Sequence, residues 1–442
     1  MAQSLVEEQM EASVATFSLF VRNLPPARGY LVAAGLDDAL AYLENLTFSP
    51  GDLAYLRGTG LFRARILERL ADLRFTGSVR AVPEGTVCFA EEPILEITAP
   101  LLEAQLVETA IINEVQLQTM VASKAARCFT AASGRGLVDF SLRRTQGLAT
   151  GVKVARASYL AGFEATSNVL AGKEYGISIA GTMAHSYVEA FPSEFDAFRA
   201  YARSFPDSAV LLVDTYDALE GARRAAVVGQ ELAAEGHRLR GVRIDSGDLV
   251  SLSRAARRIL DEAGLASTII IASGGLDEYA VEQAVAADAP IDSFGVGTRM
   301  GVSADAPHLD LVYKLVAANG RPTLKLSADK ATWPAAKQVW RRPAAPYDGD
   351  WIGLHDEPAP VGREPLLADV MADGRRLGPA PTLEEARTRC RDSLAALPLE
   401  CRRLDNPAGY RVRFTEALVA LRRELADELR GTPPTSSAAG AR

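Results

Sequence analysis

The stretch Val210-Leu211-Leu212-Val213-Asp214-Thr215-Tyr216-Asp217 is a short apolar run that ends in polar residues. A helical pattern follows it over 218–235, and a second apolar run begins at Val242. A buried strand, a helix and another strand in succession are typical of a parallel α/β sheet, because parallel neighbours need a long crossover connection. This stretch therefore predicts a β/α unit in the middle of the chain.

The same unit recurs from about Gly136 onward. Apolar runs that end in polar or glycine residues cover 137–140, 177–179, 210–214, 242–245, 268–273 and 291–296, and 311–315 is predicted as a seventh strand. Consecutive β/α units build a parallel sheet, which is either open or closed into a barrel. We favour the barrel, because the polar ends of its strands converge on a single mouth.

The segments on either side follow other patterns. Predicted helices cover 36–43, 61–73, 103–126, 379–394 and 414–429, and predicted strands cover 79–87, 93–99, 324–327 and 338–342. We predict an α/β protein with an N-terminal α/β domain over 1–130, an α/β barrel over 131–320 and a C-terminal segment over 321–430 that completes the first domain. The composition of 431–442 predicts a disordered tail.

Composition narrows the possible functions. The chain has 442 residues, a net charge of -8 and a pI near 5.3, which argues against general binding to nucleic acid or to anionic membranes. The four cysteines are far apart in sequence, as expected of reduced thiols and not of a disulfide framework. The acidic N-terminus lacks the features of a signal peptide, and no apolar run is long enough to span a bilayer. We therefore expect a cytoplasmic protein.

His185 is the first candidate for chemistry. The chain has four histidines, and only His185 follows a β-type apolar run, within Gly181-Thr182-Met183-Ala184-His185-Ser186. A turn from strand to helix that carries Gly, Thr, His and Ser is a common place for catalytic groups in α/β enzymes. A buried core histidine fits the same hexapeptide equally well. Asp214 either orients His185 or caps the next helix, and Asp217 can take the second role.

Other strand ends carry groups that bind anions and sugars. Phe140 is followed by Arg143 and Arg144, and guanidinium groups clamp carboxylates or phosphates with paired hydrogen bonds. Arg243 and Asp245 alternate onto one side of the fourth strand, where the carboxylate can accept hydrogen bonds from sugar hydroxyls or bind through a hydrated Mg²⁺. A surface ion-pair cluster would equally explain two adjacent arginines.

Glycine-rich turns end the late strands. Such turns bare backbone N–H groups for a phosphate, and barrels commonly bind phosphate at their late strands. Together the strand ends predict a site for a planar anion, a sugar and a phosphate, with a histidine between them. The residues expected to bind substrate are Phe140, Arg143, Arg144, Thr182, Ser186, Arg243, Ser246, Gly247, Ser273, Gly274, Gly275, Gly297 and Thr298.

These motifs resemble those of the nicotinate phosphoribosyltransferases. The shared motifs are Leu-Pro-Pro-Ala-Arg-Gly-Tyr (24–30), Phe-Ser-Leu-Arg-Arg-Thr-Gln-Gly (140–147), Gly-Thr-Met-Ala-His-Ser (181–186), Val-Asp-Thr-Tyr-Asp (213–217), Arg-Ile-Asp-Ser-Gly-Asp (243–248), Ala-Ser-Gly-Gly-Leu-Asp-Glu (272–278) and Phe-Gly-Val-Gly-Thr (294–298). They stand in the family's order, and the resemblance covers about residues 14–345. It implies a type II phosphoribosyltransferase with an incomplete α/β barrel beside an α/β domain, acting as a homodimer with sites shared across the interface.

The resemblance also implies a reaction. Nicotinate and phosphoribosyl pyrophosphate would give nicotinate mononucleotide and pyrophosphate in NAD salvage. Hydrolysis of the co-substrate ATP would be coupled through a phosphohistidine at His185, in a ligase-type scheme. Mg²⁺ would accompany the pyrophosphate, without direct protein ligands. By the same resemblance Asp214 would orient the histidine and Asp245 would bind the ribose.

The resemblance further assigns the binding residues and shows one departure. Phe140 would stack on the pyridine, Arg143 would meet its carboxylate, and four late-strand residues would hold the 5′-phosphate: Gly274, Gly275, Gly297 and Thr298. The family's Asp-x-Tyr segment, whose tyrosine stacks on the pyridine of the other subunit, has no counterpart after Met1. Either the start of the chain is assigned too far downstream, which we favour, or half of the aromatic clamp around the pyridine is missing. We also predict no structural zinc, because Cys390 and Cys401 alone cannot supply four ligands.

Alternatives stay open at this stage. One is a nicotinamide or quinolinate phosphoribosyltransferase. The segment 165–168 lacks the acidic residue that would meet an amide, and a quinolinate enzyme would need more cations and no phosphohistidine. The other is a non-catalytic nucleotide-binding relative, which the presence together of His185, Asp214 and Asp245 disfavours.

Overall fold

Two compact units make up the chain. The computed structural model describes residues 1–327 and 332–431. One unit consists of Met1–Thr119 with His308–Arg442, and the other of Met120–Pro307. The unit boundaries lie 11 and 13 residues before the predicted ones, 130 and 320. The first falls inside a long helix, Glu108–Ala132, and the second comes earlier because the strand that begins at Leu311 pairs within the first unit. Apart from Gly431, the predicted tail over 431–442 lies outside the described residues.

The elements alternate regularly only in the second unit. Before the unit boundary the chain forms α1 (Ala2–Glu7), β1 (Val14–Val21), β2 (Leu31–Val32), α2 (Leu36–Glu44), α3 (Pro50–Gly58), α4 (Ala64–Ala71), β3 (Ser78–Ala81), β4 (Val87–Cys88), β5 (Pro93–Pro100) and α5 (Leu101–Leu106), and α6 (Glu108–Ala132) contains the boundary. The second unit continues with β6 (Gly136–Asp139), a 3-10 turn (Leu142–Arg144), α7 (Leu148–Leu160), β7 (Ala165–Thr166), α8 (Val169–Tyr175), β8 (Ser178–Ile179), α9 (His185–Glu189), α10 (Glu194–Ser204), β9 (Val210–Leu212), α11 (Ala218–Ala234), β10 (Gly241–Ile244), α12 (Leu249–Glu262), β11 (Ile269–Ala272), α13 (Glu278–Ala286), β12 (Ser293–Val296) and α14 (Thr298–Gly301). The last part of the chain forms β13 (Leu311–Ala318), β14 (Arg321–Pro322), β15 (Lys337–Arg341), β16 (Asp350–Leu354), β17 (Glu364–Pro365), β18 (Ala368–Ala372), β19 (Arg375–Arg376), α15 (Leu383–Ala396), a 3-10 turn (Leu399–Arg402), β20 (Val412–Phe414) and α16 (Glu416–Gly431).

The second unit is an incomplete barrel. Its seven parallel strands run in the order β8-β7-β6-β12-β11-β10-β9, and no pairing joins β8 to β9 in the described residues. The core consists of apolar side chains that alternate along the strands, such as Leu211, Val242, Ile270 and Phe294, none of which is exposed. The predicted fold class, an incomplete α/β barrel with a further α/β domain, is confirmed.

The identity of the seventh barrel strand was predicted wrongly. Leu311–Ala318 pairs antiparallel with β1 and belongs to the first unit. The seventh parallel strand is β7, only two residues long, between β6 and β8. A strand this short leaves no periodic pattern in the sequence. The apolar run of β13, in contrast, looks like the apolar runs of the barrel strands.

The first unit is mainly antiparallel. Its large sheet has the order β14-β13-β1-β5-β3-β18-β19, beside a four-stranded sheet, β17-β15-β16-β20, and the pair β2-β4. The strand predicted over 338–342 is confirmed as β15, whereas 324–327 is not a strand. The predicted helix over 103–126 is two helices, α5 and α6.

Side-chain caps fix where the barrel helices begin. Asp217 accepts hydrogen bonds from the amides of Leu219 and Glu220 at the start of α11, at 3.0 and 2.8 Å. Asp248 caps α12 and Asp277 caps α13 in the same way. These caps satisfy amides that have no partner inside a helix. The hydrogen bonds of Asp217 confirm that this residue caps α11. Asp214 is therefore not needed as the cap of that helix.

Two further observations concern the whole chain. All four cysteines are free and buried. Within residues 1–327 and 332–431, none of the helices combines the length and the apolar character that crossing a bilayer requires.

Candidate active site

A cavity of about 570 Å³ lies at the carboxyl ends of the barrel strands. Its wall is formed by residues that follow different strands, as expected of a parallel α/β fold. The predicted site residues on this wall are Phe140, Arg143, Thr182, His185, Arg243, Asp245, Ser273, Gly274, Gly275, Gly297 and Thr298. Strand ends separated by more than 150 residues in sequence thus share one cavity.

Arg243 is at the centre of a hydrogen-bond network. Its Nε donates to Ser273 Oγ at 2.7 Å, its Nη1 to Thr182 Oγ1 at 2.8 Å, and its Nη2 to Asp245 Oδ1 at 2.5 Å. The guanidinium also lies over the Phe140 ring, with Cζ 5.4 Å from the ring centroid, at cation–π distance. These contacts hold the arginine in one orientation at the cavity floor.

Asp245 is an ionised carboxylate at neutral pH. Burial raises its pKa, but hydrogen bonds from Ser273 and Arg243 and the positive charge of Arg243 outweigh burial, so the pKa lies below its ordinary value. Ser273 Oγ donates to Asp245 Oδ1 at 2.5 Å. An ionised carboxylate only accepts hydrogen bonds, which suits it to bind hydroxyl groups.

His185 begins helix α9 and faces the cavity. Its Nδ1 lies 3.2 Å from Thr215 Oγ1, and its Nε2 lies 3.8 Å from Asp245 Oδ2. The imidazole is 42% exposed, so the alternative of a buried core histidine is wrong. A half-exposed imidazole held at one nitrogen leaves the other nitrogen accessible to a substrate.

Asp214 has a different place from the one predicted. Its Oδ2 accepts hydrogen bonds from the Asp245 amide at 3.0 Å and from Ser246 Oγ at 2.6 Å. Among the described residues, the groups that contact the His185 ring are Thr215 and Asp245. In this conformation Asp214 therefore positions the loop that carries Asp245, and it does not orient the histidine directly. The register between β9 and β10 decides this arrangement, and a single strand end cannot reveal it.

Two glycine turns close the cavity on one side. In the described chain the amides of Gly274, Gly275 and Thr298 make no hydrogen bond, so they are available to a phosphate. Gly274 has a φ of +95°, and a Cβ there would lie 1.7 Å from the carbonyl oxygen of Asp245. The two loops thus approach each other more closely than any side chain would allow.

Phe140 also depends on a glycine. A Cβ on Gly295 would lie 2.5 Å from Cε2 of the Phe140 ring. The turn that carries Phe140 is held by buried Asp139, which accepts from the Ser141 amide and from Thr166 Oγ1, both at 2.8 Å. Burial raises the pKa of Asp139, although these hydrogen bonds oppose the shift.

Some predicted residues lie off the cavity wall. The wall does not include Arg144, Ser186, Asp214, Ser246 or Gly247 among its described residues. Arg143 and Arg144 are both exposed on one 3-10 turn, and only Arg143 faces the cavity. The wall also includes residues that were not proposed from the sequence: Leu142, Leu148, Ser167, Gly181, Met183, Ala184, Leu212 and Gly295.

Comparison with known proteins identifies the family. Three family models match: the nicotinate phosphoribosyltransferase N-terminal domain over 1–116, the nicotinate phosphoribosyltransferase family over 136–337, and the C-terminal domain over 356–422. Nicotinate phosphoribosyltransferase pncB2 of Mycobacterium tuberculosis is 48% identical over 424 residues, covering 95% of this chain and 90% of that protein. The chain belongs to the nicotinate phosphoribosyltransferase family.

Solved structures agree with the family assignment. The crystal structure of human nicotinic acid phosphoribosyltransferase superposes with a TM-score of 0.87 at 30% identity, covering 96% of this chain and 98% of that one. A nicotinate-nucleotide pyrophosphorylase from Pyrococcus furiosus shares the fold, with a TM-score of 0.72 at 22% identity, over 89% of this chain and 93% of its own.

Two residues that hold the cavity wall in place were not proposed from the sequence. Thr215 was treated only as part of a strand-end motif, and Asp139 only as part of a strand. Thr215 follows Asp214, which was the residue predicted to orient His185. The contact between Thr215 and His185 depends on tertiary structure. Asp139 carried a usable signal, because a buried carboxylate at a strand end must find hydrogen-bond donors.

Proposed function

We propose that this protein is a nicotinate phosphoribosyltransferase that joins nicotinate to phosphoribosyl pyrophosphate in an ATP-coupled, ligase-type reaction. The observation that carries the proposal is one cavity whose wall combines an aromatic ring, an arginine, an ionised carboxylate, free amides and an exposed histidine. Family membership and the 48% identical relative support the same activity. The role of the product in NAD salvage follows from the reaction.

The pyridine base is assigned to the part of the wall beside Phe140. The Phe140 ring stacks on the pyridine, and Arg143 pairs with the carboxylate. The pyridine nitrogen then attacks C1 of the ribose with its lone pair. The bond from C1 to the pyrophosphate oxygen breaks, and pyrophosphate leaves with those electrons. Arg143 is favoured over Arg144 because it faces the cavity.

The sugar phosphate is assigned to the late strands. Asp245 accepts hydrogen bonds from the ribose hydroxyls, and its lowered pKa keeps it ionised. The free amides of Gly274, Gly275 and Thr298, together with Gly297, hold the 5′-phosphate. Arg243 fixes the carboxylate and brings positive charge to an anionic substrate.

His185 is assigned the coupling to ATP. A ring nitrogen attacks the γ-phosphorus, the bond to the bridging oxygen breaks, and ADP leaves with the electron pair. Water later cleaves the phosphohistidine and releases inorganic phosphate. Thr215 orients the ring during both steps, and Asp245 lies 3.8 Å from its Nε2.

Mg²⁺ would come with the phosphorylated substrates. No cluster of three or more His, Cys, Asp or Glu side chains suited to a metal was found in residues 1–327 and 332–431. We assign the ion mainly to pyrophosphate or ATP oxygens, because Mg²⁺ commonly binds substrate phosphates and keeps several of its waters. Such an ion neutralises the charge of the leaving group.

A homodimer in the cytoplasm completes the proposal. On β8 and on helix α8, which packs against it, three large apolar side chains are exposed: Val169, Leu170 and Ile179. Exposed apolar side chains close together are typical of protein interfaces, so a second copy is the proposed cover. The cytoplasmic location rests on the four free thiols.

The test compares the unmodified protein with His185→Ala. With nicotinate, phosphoribosyl pyrophosphate, Mg²⁺ and ATP, we expect nicotinate mononucleotide and ADP together, and ADP formation lost in the variant. Replacing nicotinate by nicotinamide or quinolinate tests the two related activities. A folded protein that binds phosphoribosyl pyrophosphate and forms no nucleotide from any base would contradict the enzyme assignment.

A further inference from the structure

The segment before His185 is held to the fold by few contacts. Gly181, Thr182 and Met183 make no backbone–backbone hydrogen bond within the described chain, and the neighbouring bonds are those of Ala180 and Tyr187. A Cβ on Gly181 would have no atom within 4 Å. Two anchors remain: Met183 is buried with 4% exposure, and the Thr182 hydroxyl bonds to Arg243.

The Thr182 hydroxyl links two parts of the site. It accepts a hydrogen bond from Arg243 Nη1 at 2.8 Å and donates one to the Met183 carbonyl at 3.1 Å. A hydroxyl that accepts and donates at once transmits the position of one group to the other. The bond from the guanidinium is charge-assisted and therefore strong. Any displacement of Arg243 is thus felt by the backbone two residues before His185.

Arg243 is placed to respond to substrate. Its three hydrogen bonds inside the protein use three of the five N–H groups of a guanidinium. It also contacts Phe140 and Asp245, the residues assigned to the base and the ribose. A bound anion can take the two remaining N–H groups, which fixes the guanidinium and leaves its bond to the Thr182 hydroxyl in place.

We propose that Thr182 is a positioning residue that couples His185 to occupancy of the ribose and base site through the Arg243–Thr182 hydrogen bond. The inference rests on the proposed function, because it assumes that His185 is phosphorylated. With the bond intact, the segment 181–184 presents His185 productively only when Arg243 is in its ordered position. Phosphoryl transfer to and from His185 is then tied to nucleotide formation.

The test replaces Thr182 by Val, which keeps the shape and removes the hydroxyl, with Thr182→Ser as the matched control. We measure the ratio of ADP released to nicotinate mononucleotide formed, and the ADP formed without nicotinate and phosphoribosyl pyrophosphate. Loss of a charge-assisted hydrogen bond predicts a roughly tenfold higher ratio in Thr182→Val. Thr182→Ser keeps the hydroxyl and should therefore keep the ratio of the unmodified enzyme.

Several outcomes would overturn the inference. An unchanged ratio in Thr182→Val means that the hydroxyl does not couple the two reactions. If ADP and nicotinate mononucleotide fall in proportion in Thr182→Val, and the KM values for nicotinate and phosphoribosyl pyrophosphate are unchanged, then the role of the Thr182 hydroxyl is only structural. Failure of the unmodified enzyme to form ADP would overturn the phosphohistidine itself, and it is recognised without any variant. Thermal unfolding of each variant shows whether it is folded.

Discussion

Ser273 controls the charge of the carboxylate at the centre of the cavity. Its hydroxyl donates to Asp245 at 2.5 Å and lowers the pKa of that residue against the effect of burial. In Ser273→Ala the pKa of Asp245 should rise. Because Asp245 must be ionised, the acidic limb of the pH profile of kcat/KM for phosphoribosyl pyrophosphate should move to higher pH. An acidic limb that stays in place would show that another group determines it.

Thr215 holds the imidazole ring of His185 in place. The Thr215 hydroxyl lies 3.2 Å from Nδ1 of His185, within hydrogen-bond distance. We expect Thr215→Val to slow ADP formation by roughly three- to tenfold, since a neutral hydrogen bond contributes about 0.5–1.5 kcal/mol. Thr215→Ser keeps the hydroxyl and serves as the control, and rapid-quench measurement of phosphorylated protein is the readout. Equal phosphorylation rates in the two variants would exclude an orienting role.

Loops that follow neighbouring strands form, as one element, the side of the cavity to which we assign the 5′-phosphate. Gly274 allows the loop after β11 to approach the carbonyl of Asp245 after β10. Gly274→Ala should raise KM for phosphoribosyl pyrophosphate by about tenfold or more, because strain and a steric clash each cost on the order of 1–3 kcal/mol. The measurement is steady-state kinetics beside thermal unfolding.

Gly264 is the matched control for this substitution. It also has a positive φ, +78°, but a Cβ there meets no atom within 4 Å, and it is not among the cavity residues. Gly264→Ala should therefore lower the stability modestly and leave KM unchanged. Equal effects of the two substitutions on KM would contradict the close approach of the loops.

At the scale of the whole molecule, the open edge of the barrel sheet is the feature on which the proposed dimer rests. β8 ends the parallel sheet, and Ile179 on it is 61% exposed. We expect analytical ultracentrifugation to give a dimer, and Ile179→Asp to shift it toward monomer with loss of activity. Glu174→Lys changes charge on the nearby helix α8 without adding a polar group to the edge strand, and it should remain dimeric. An active monomer would exclude the shared-site arrangement.

The strand ends explain how much could be predicted. Residues that directly follow β6, β10, β11 and β12 were predicted to share a mouth, and the cavity contains Phe140, Asp245, Ser273 and Gly297. Parallel strands make this inference possible, because all their carboxyl ends lie on one side. The sequence could not tell which of Arg143 and Arg144 faces the cavity. Both lie on one 3-10 turn, which is too short to show a periodic pattern.

The sequence by itself determined the order of the β/α units, the helix caps and the residue types at each strand end, because these depend on neighbours along the chain. Tertiary structure decided which residues meet across strands. It placed Asp245 and Thr215 beside His185, turned Asp214 toward the next loop, made β7 the seventh barrel strand and paired β13 with β1. The physical reason is that register and strand pairing depend on packing between distant segments, which a local pattern does not specify.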